Sequence, residues 1–395
     1  MQLDFKQITL LPACIMVLVL MQVVVSFNVF AFLRPVSLLV WGLCILNWLA
    51  VGCLYLREAE MSPFGLLWAV YFLIISASTL IHATSFKMLS YLMVDGTLLL
   101  MLFHYYQHRL RMLVIAANVF FSGVIYANLA LMFFFPNWMF VAQDSFDSFI
   151  LGGNYNQMGG RFLCGIVTSV LCIKFNRKWL INSIALIVVA IATLLFVGSM
   201  TAVTGLAVFT LFCIVPSFRL QRIGLVSFFI FYLLFQIFVC FRGEGLHNSE
   251  LARYFIVDVL GKDITFTNRT MMWDLALRQF FQSPLVGFGC VDNDWYINNM
   301  TSFARGPHNF ILGQLINGGV LLMSVLIGIV IISVRRILGC FDRMACILCM
   351  GLATLCFMML MEVYPFVLVL YMLVLLYYYP EYTTPEISTD DEREC

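Results

Sequence analysis

The residues best suited to chemistry lie in residues 242–308, a long polar stretch of an otherwise apolar chain. His308 follows Pro307 at the start of an apolar run, and an imidazole suits proton transfer near neutral pH. Arg269 and Arg305 lie in the same stretch, and a guanidinium offers rigid paired donors to an anion. The alternative for both arginines is an ion pair with a carboxylate such as Asp263 or Asp274.

The composition predicts a polytopic membrane protein. Hydrophobic residues make up 63% of the 395-residue chain and charged residues 11%, against roughly 25% charged in soluble domains. The mean hydropathy is +0.98. A net charge of +1 gives no electrostatic reason to expect nucleic acid as a partner. Most of the 13 cysteines lie in apolar runs, where they behave as small hydrophobic residues rather than metal ligands.

Twelve apolar runs are long enough to suggest membrane spans, each of which needs about 20 residues. We therefore expect an all-α fold with about 12 transmembrane helices. The first run is interpreted as a retained span and not a signal peptide. The runs are 9–32, 36–56, 64–84, 88–106, 112–135, 160–175, 179–197, 200–216, 223–241, 309–334, 343–362 and 365–379.

The basic residues predict the orientation. Alternate loops carry twelve of them, whereas the short loops on the other side carry only Arg34, Lys87 and Arg161. Basic loops stay in the cytoplasm. Both termini are therefore predicted to be cytoplasmic, and residues 242–308 to form a large external loop. The predicted topology divides the chain into four segments. Residues 1–241 contain nine spans and a short external loop near 137–159, and residues 242–308 form the large external loop. Residues 309–379 contain three spans, and residues 380–395 form an acidic cytoplasmic tail.

The external segments have local patterns of their own. Residues 249–260 and 270–281 have the apolar spacing of short helices, with Asn268 expected to cap the second one. The long loop is therefore predicted to be a partly helical cap. In the shorter segment, glycines and amides precede Arg161. This composition suits either a loop whose backbone approaches a ligand closely or an ordinary glycine-rich turn. Aromatic clusters at span ends, Phe133 to Phe135 and Tyr377 to Tyr379, are interpreted as interface belts.

Three motifs in order carry a resemblance to a known family. They are Thr267-Asn-Arg269-Thr-Met-Met-Trp273, Ser283-Pro-Leu-Val-Gly287-Phe-Gly289, and His308-Asn309 followed by Gly318-Gly319. This order resembles the O-antigen ligase and O-antigen polymerase superfamily, bacterial membrane glycosyltransferases with a GT-C-like fold. The chain departs from the ligase pattern at Leu322, usually small or aromatic, and at Met200, usually arginine.

The resemblance implies roles for particular residues. His308 would be the general base that activates an acceptor hydroxyl. The donor would be a glycan on a polyprenyl diphosphate, held through the diphosphate by Arg269, Arg305 and Arg161, although Arg161 could equally snorkel to lipid headgroups. The residues expected to contact substrate are Asn154, Asn156, Trp273, Trp295, Tyr296 and Asn309. The resemblance requires no cofactor or metal. Asp292 and Asp294 are interpreted as solvated turn residues or as sugar contacts, in preference to ligands of a metal ion.

The expected activity is polymerisation of undecaprenyl-diphosphate-linked repeat units into O-antigen or capsule-type polysaccharide, at the outer face of the bacterial inner membrane. Partners would be the lipid-linked donor and acceptor, membrane lipid and a chain-length regulator protein. One alternative is an O-antigen ligase that transfers polymer to lipid A-core. The other is a lipid-linked sugar flippase, a class supported by the membrane carboxylates Asp95 and Glu362. Glu362 is also a candidate for lining the outer cavity.

Overall fold

The computed structural model describes residues 10–27, 33–58, 60–135, 149–243, 254 and 268–383. The predicted helix over 249–260, apart from Tyr254, lies outside them, as do Asp263 and the tail beyond residue 383. The longer helices of the described part are α1 (Leu11–Val24), α2 (Arg34–Glu58), α3 (Pro63–His82), α4 (Phe86–Tyr105), α5 (Leu110–Phe134), α6 (Met158–Cys172), α7 (Trp179–Val197), α8 (Met200–Ile214), α9 (Phe218–Cys240), α10 (Arg269–Gln282), α11 (Asn293–Asn299), α12 (Phe310–Leu338), α13 (Arg343–Met358) and α14 (Phe366–Tyr377).

The described part is an all-helical protein with seven helices that are long and apolar enough to cross a membrane. These seven are α2, α3, α4, α5, α7, α9 and α12. The other five predicted runs also contain a helix each, but those helices have only 12 to 16 residues: α1, α6, α8, α13 and α14. The helical membrane fold is therefore confirmed, whereas twelve spans and the GT-C class stay predictions.

Contacts between the connecting segments fall into two sets that match the predicted sides. One set joins predicted external segments or the nearby ends of predicted spans: Ser26 N to Ile150 O at 2.8 Å, Ser85 N to Cys290 O at 2.9 Å and Arg269 Nε to Met361 O at 2.6 Å. The other joins predicted cytoplasmic segments or the nearby ends of predicted spans: Lys174 to Asp342 at 3.1 Å, His104 to Glu60 O at 2.8 Å and Arg336 to Glu381. These contacts agree with the grouping of the loops, while the side that faces the cytoplasm stays a prediction.

Helix α12 is interrupted at Gly318 and Gly319, where the backbone leaves the helical region. The break releases backbone groups that would otherwise be unsatisfied, and residues 283–289 bond to them. Phe288 N donates to Ile316 O at 2.8 Å, and Gly289 N donates to Asn317 O at 2.7 Å. On the far side of the break, two more amides of α12 donate to carbonyls of residues 284 and 285. Two of the three sequence motifs therefore form one interlocked structure.

This interlock requires glycine at Gly287. Its φ is +62°, and a Cβ added there would lie 2.5 Å from both Gly318 N and Ile316 O. Both neighbours are backbone atoms, so a rotamer change cannot relieve the clash. The loop over residues 283–289 is thus fixed to the break in α12 by a close backbone contact.

The aromatic belt prediction agrees with the exposure of Phe133 and Phe134 but is wrong for residues 377–379. Phe133 and Phe134 are 75% and 78% exposed, as expected of side chains that face lipid. Tyr377, Tyr378 and Tyr379 are instead buried inside the protein. Their hydroxyls bond to charged or titratable side chains: Arg336 with Tyr377, His104 with Tyr378, and Lys174 and Asp342 with Tyr379. Because a tyrosine has a polar tip, burial with such partners satisfies it as well as an interface does.

Candidate functional site

Two segments remote in sequence meet at the start of α12. Phe310, the first residue of α12, donates its backbone N–H to Met359 O at 2.9 Å. Arg269, the first residue of α10, donates Nε to Met361 O at 2.6 Å. The segment that carries His308 and the one that links α13 to α14 are therefore held together beside the N-terminus of α10.

Arg269 forms an ion pair at this junction. Its Nη2 lies 2.5 Å from Glu362 Oε1, and the side chains are only 19% and 6% exposed. Glu362 is thus a partner of Arg269 that the sequence did not suggest, while Asp263, one of the two carboxylates considered from the sequence, lies outside the described residues. The prediction that Asn268 caps α10 is wrong: its φ is +65° and its side chain makes no cap bond. An N-cap side chain reaches the helix from an extended backbone, and the left-handed conformation of Asn268 turns it away.

His308 lies in the same junction with an unusual backbone conformation. Its φ is +48°, which is uncommon for a residue other than glycine and costs on the order of 1 kcal/mol. Trp273 Nε1 donates to the backbone carbonyl of His308 at 3.5 Å. The buried Nδ1 has no hydrogen-bond partner among the described residues. His308 therefore combines a strained backbone with a buried ring nitrogen that has no partner among the described residues.

The protonation state of His308 follows from its surroundings. Burial first, and then the charge of Arg269, lower the pKa of His308 to about 4, although the hydrogen bond to the Met361 carbonyl raises it in part. The imidazole is therefore neutral at pH 7. A neutral imidazole can accept a proton, as general base catalysis requires.

Arg161 is buried in the protein rather than exposed to lipid headgroups. Only 5% of the residue is exposed, so the snorkelling alternative is wrong. Its guanidinium donates to Gln157 O at 2.9 Å and to Val23 O at 3.1 Å. Its Nε has no partner within the part of the chain that the structure describes. Among the described residues its hydrogen-bond partners are oxygens of neutral groups, so no carboxylate offsets the positive charge of Arg161 there.

Tyr364 connects Arg161 with the Arg269 and Glu362 pair. Its ring packs on the backbone of Gly159 and Gly160, directly before Arg161 in sequence. Its hydroxyl is buried, has no hydrogen-bond partner among the described residues, and interacts electrostatically with Glu362, Arg161 and Arg269. We call these residues the His308 cluster: His308, Arg269, Glu362, Tyr364 and Arg161.

The other predicted site residues fall outside this cluster. Arg305 is exposed and forms no ion pair within the described residues. Asn309 is 2% exposed and serves as the N-cap of α12, accepting from Leu312 N at 3.1 Å. Its amide also bonds to Gln236 of α9, at 2.9 Å and 3.3 Å. Asn309 thus fixes the position of the backbone next to His308.

The predicted sugar-contact residues lie in different environments. Trp273 and Tyr296 are buried in one apolar cluster, so they pack the external segments onto the helices. Trp295 is half-buried beside an open cleft. Asn154 and Asn156 belong to a turn in which Asn154 Oδ1 accepts from Asn156 N at 2.9 Å. Their role as substrate contacts stays a prediction.

Sequence reasoning missed two members of the site and gave a third too small a role. Tyr364 and Gln236, which bonds to Asn309 beside the cluster, are not predicted from the sequence, and Glu362 is predicted only as a transporter carboxylate or as a residue that lines the outer cavity. A glutamine inside the apolar run of α9 was the available signal for Gln236.

Asp292 caps α11 by accepting from Trp295 N at 3.1 Å, which gives that carboxylate a structural role. Within the described residues, no group of three or more His, Cys, Asp or Glu side chains could hold a metal ion.

Among known proteins, no family model matches this chain and no curated protein matches it. The geometry of the His308 cluster is therefore the basis for the function proposed below.

Proposed function

We propose that the protein is a membrane glycosyltransferase that joins polyprenyl-diphosphate-linked oligosaccharide repeat units at the outer face of a bacterial inner membrane. The observation that carries the proposal is the meeting of a neutral, partly unpartnered histidine with the half-buried Arg269 and the buried Arg161. This is the combination that transfer from a diphosphate leaving group needs: a proton acceptor beside fixed positive charge.

In the proposed reaction, Nδ1 of His308 accepts the proton of a hydroxyl on the acceptor glycan. The hydroxyl oxygen forms a bond to the anomeric carbon of the donor glycan, and the bond from that carbon to the diphosphate oxygen breaks. The diphosphate leaves with the electron pair as an anion. Arg269 and Arg161 stabilise that negative charge, which is worth about 100- to 1000-fold in rate for a well-placed donor.

Glu362 has a definite part in this proposal. Its carboxylate pairs with Arg269, so the half-buried guanidinium has an opposite charge beside it. An arriving diphosphate competes with Glu362 for Arg269 and takes its place. The negative charge of the diphosphate also raises the proton affinity of the nearby His308, because an opposite charge stabilises the imidazolium. Donor binding therefore makes His308 a stronger base in the complex that reacts.

A second candidate, a transporter of lipid-linked sugar, is favoured by the interrupted helix α12 and the buried Asp95. Transporters commonly use broken helices to expose backbone groups to their cargo. Here the amides and carbonyls at the break bond to residues 283–289 instead. The oxygen Asp95 Oδ1 has no partner in the described residues, but Asp95 lies in a π-helical turn of α4, away from this break in sequence. The enzyme is therefore the preferred function.

The two enzyme alternatives differ in the acceptor, and a gene deletion separates them. A polymerase deletion leaves single repeat units on lipid A-core, whereas a ligase deletion leaves lipid A-core without any O-antigen. We expect the polymerase result, as predicted from the departures at Met200 and Leu322.

Complementation of the deletion tests the role of His308 in cells. His308→Ala should restore normal protein level but no chain extension, because the proton acceptor is absent. Phe303→Ala is a matched control, since Phe303 lies nearby in sequence and is 56% exposed. It should restore full polymer length. Normal polymer from the His308 variant would overturn the proposed function.

A further inference from the structure

A second cleft lies between the end of α3 and helix α11, apart from the residues of the His308 cluster. Its volume is about 490 Å³. It opens on the predicted external side, because the turn after α3 contains the Ser85 to Cys290 backbone bond that joins two predicted external segments. The residues that line it are His82, Ala83, Thr84, Ser85, Phe288, Asp292, Trp295 and Asn299.

Three rings form one wall of this cleft. The ring of Phe288 lies 5.1 Å from that of His82 on one side and 5.1 Å from that of Trp295 on the other. All three residues are half-buried, so they present ring surface without being sealed in the core. Aromatic rings of this kind offer large, rigid, weakly hydrated contact area. Such a wall matches the C–H face of a sugar ring.

The polar atoms of the cleft are mainly acceptors. His82 Nδ1 lies 3.1 Å from the Ser78 carbonyl, so this nitrogen donates and Nε2 is left as an acceptor. Asp292 uses Oδ1 to cap α11, which leaves its second oxygen. Asn299 Nδ2 donates to the Trp295 carbonyl at 2.8 Å, which leaves Oδ1. Three acceptors therefore remain for ligand donors.

This set of atoms selects the kind of ligand. Sugar hydroxyls and amino groups donate hydrogen bonds, so they fit an acceptor-rich wall. The lining contains no lysine or arginine, and Asp292 contributes a carboxylate. A phosphate or a uronic acid would meet repulsion here. The cleft thus suits a neutral or positively charged group, whereas the His308 cluster suits an anion.

The cleft is also preformed and fixed in position. Thr84 Oγ1 donates to Phe288 O at 2.8 Å, and Cys290 N donates to Thr79 Oγ1 at 2.9 Å. These bonds hold the turn after α3 against the loop that carries Phe288. Tyr296, the neighbour of Trp295, packs in the same apolar cluster as Trp273, which contacts the His308 carbonyl. A preformed cleft loses little free energy to ordering when it binds a ligand.

We propose that this cleft is a glycan subsite that takes a neutral or amino sugar residue of a repeat unit, away from the reacting diphosphate. The inference rests on the proposed function in taking a bacterial glycan as the ligand. Its part in that function is to hold the sugar chain while the diphosphate end lies in the His308 cluster.

Binding of a glycan without its lipid and diphosphate tests the proposal. The probe is the soluble oligosaccharide released by mild acid from the host's lipid-linked repeat units. Its binding to the purified full-length protein in lipid nanodiscs is followed by saturation-transfer NMR. Trp295→Ala should weaken binding by about 3- to 10-fold, the loss expected for one aromatic contact. Asn299→Ala, at an exposed position, should weaken it by about 2- to 5-fold through a lost acceptor.

Three controls make the test specific. Phe281→Ala removes another exposed external aromatic, 71% exposed, and should bind like the wild type. Trp295→Phe should recover most of the affinity, which separates stacking from folding. Inorganic pyrophosphate should not compete. Wild-type affinity in both Trp295→Ala and Asn299→Ala, or competition by pyrophosphate, would overturn the glycan subsite.

The outcomes also separate this inference from the proposed function. If the wild type binds the oligosaccharide through Trp295 but never extends lipid-linked chains, the subsite stands and the glycosyltransferase proposal fails. If the wild type extends chains but the Trp295→Ala variant binds the oligosaccharide with wild-type affinity, the subsite is wrong and the enzyme stands.

Discussion

Gly287→Ala tests the interlock between residues 283–289 and the interrupted helix α12. The new Cβ would lie 2.5 Å from Gly318 N and from Ile316 O, at a φ of +62°. The left-handed backbone alone costs an L-residue roughly 1 to 2 kcal/mol. The clash must also separate residues 287–289 from α12, which loses the hydrogen bonds from Phe288 and Gly289, each worth about 0.5 to 1.5 kcal/mol. We therefore expect a destabilisation of about 2 to 5 kcal/mol.

Gly198→Ala is a matched control for this variant. Gly198 has a similar φ of +78°, but an added Cβ would meet no atom within 4 Å. It should therefore suffer only the conformational cost of about 1 to 2 kcal/mol. The difference between the two variants isolates the close contact with α12 from the backbone strain.

Hydrogen exchange measures this difference locally. In the wild type, the amides of Phe288 and Gly289 should be protected, because both donate to carbonyls of α12. In Gly287→Ala their exchange should be roughly 10- to 100-fold faster, corresponding to about 1.4 to 2.8 kcal/mol. Gly198→Ala should leave their exchange unchanged. Equal loss of thermal stability in the two variants, with unchanged exchange at Phe288 and Gly289, would refute the interlock.

Three further predictions concern the His308 cluster and its support. Burial and the charge of Arg269 lower the pKa of His308 to about 4. We therefore expect kcat/KM for chain extension to stay constant from pH 8 to about pH 5 and to fall below that, as the imidazole becomes protonated. A midpoint near pH 6.5 would contradict this prediction. Glu362→Gln should tighten the binding of farnesyl diphosphate by about 10-fold, measured by calorimetry, because the anion no longer competes with a carboxylate for Arg269; weaker binding would count against the competition. Asn309→Ala should lower thermal stability by about 1 to 3 kcal/mol, whereas Asn309→Asp should lose less because it keeps the cap; equal losses would show that the cap contributes nothing.

The positions of the helices could be predicted from the sequence, because hydropathy reports directly where a chain can enter lipid. Each predicted apolar run contains a helix, and the predicted start of α10 is one residue from the observed one. Five of the runs contain helices shorter than a full span, since several runs end in loops that fold against the protein. Hydropathy does not distinguish apolar residues in a loop from those in a helix.

The partners of buried polar groups could not be predicted in the same way. Arg269 and Glu362 are 93 residues apart in the chain, and only the packing of α10 beside the link from α13 to α14 brings them together. The tyrosines of residues 377–379 have the composition of an interface belt, but helix packing places them inside the protein. The docking of residues 283–289 on α12 likewise depends on a break that two glycines permit but do not by themselves specify.

Reconstitution with lipid-linked substrate tests the central claim most directly. Purified protein in nanodiscs is supplied with the host's undecaprenyl-diphosphate-linked repeat unit, and products are separated by length. The wild type should extend the chains without added nucleotide or metal, with release of undecaprenyl diphosphate. His308→Ala should be slower by about 100- to 10,000-fold at unchanged thermal stability, the range for loss of a general base. Chain extension by His308→Ala at the wild-type rate would contradict the role of this histidine, and a wild type that leaves the repeat units unjoined would contradict the proposed activity itself.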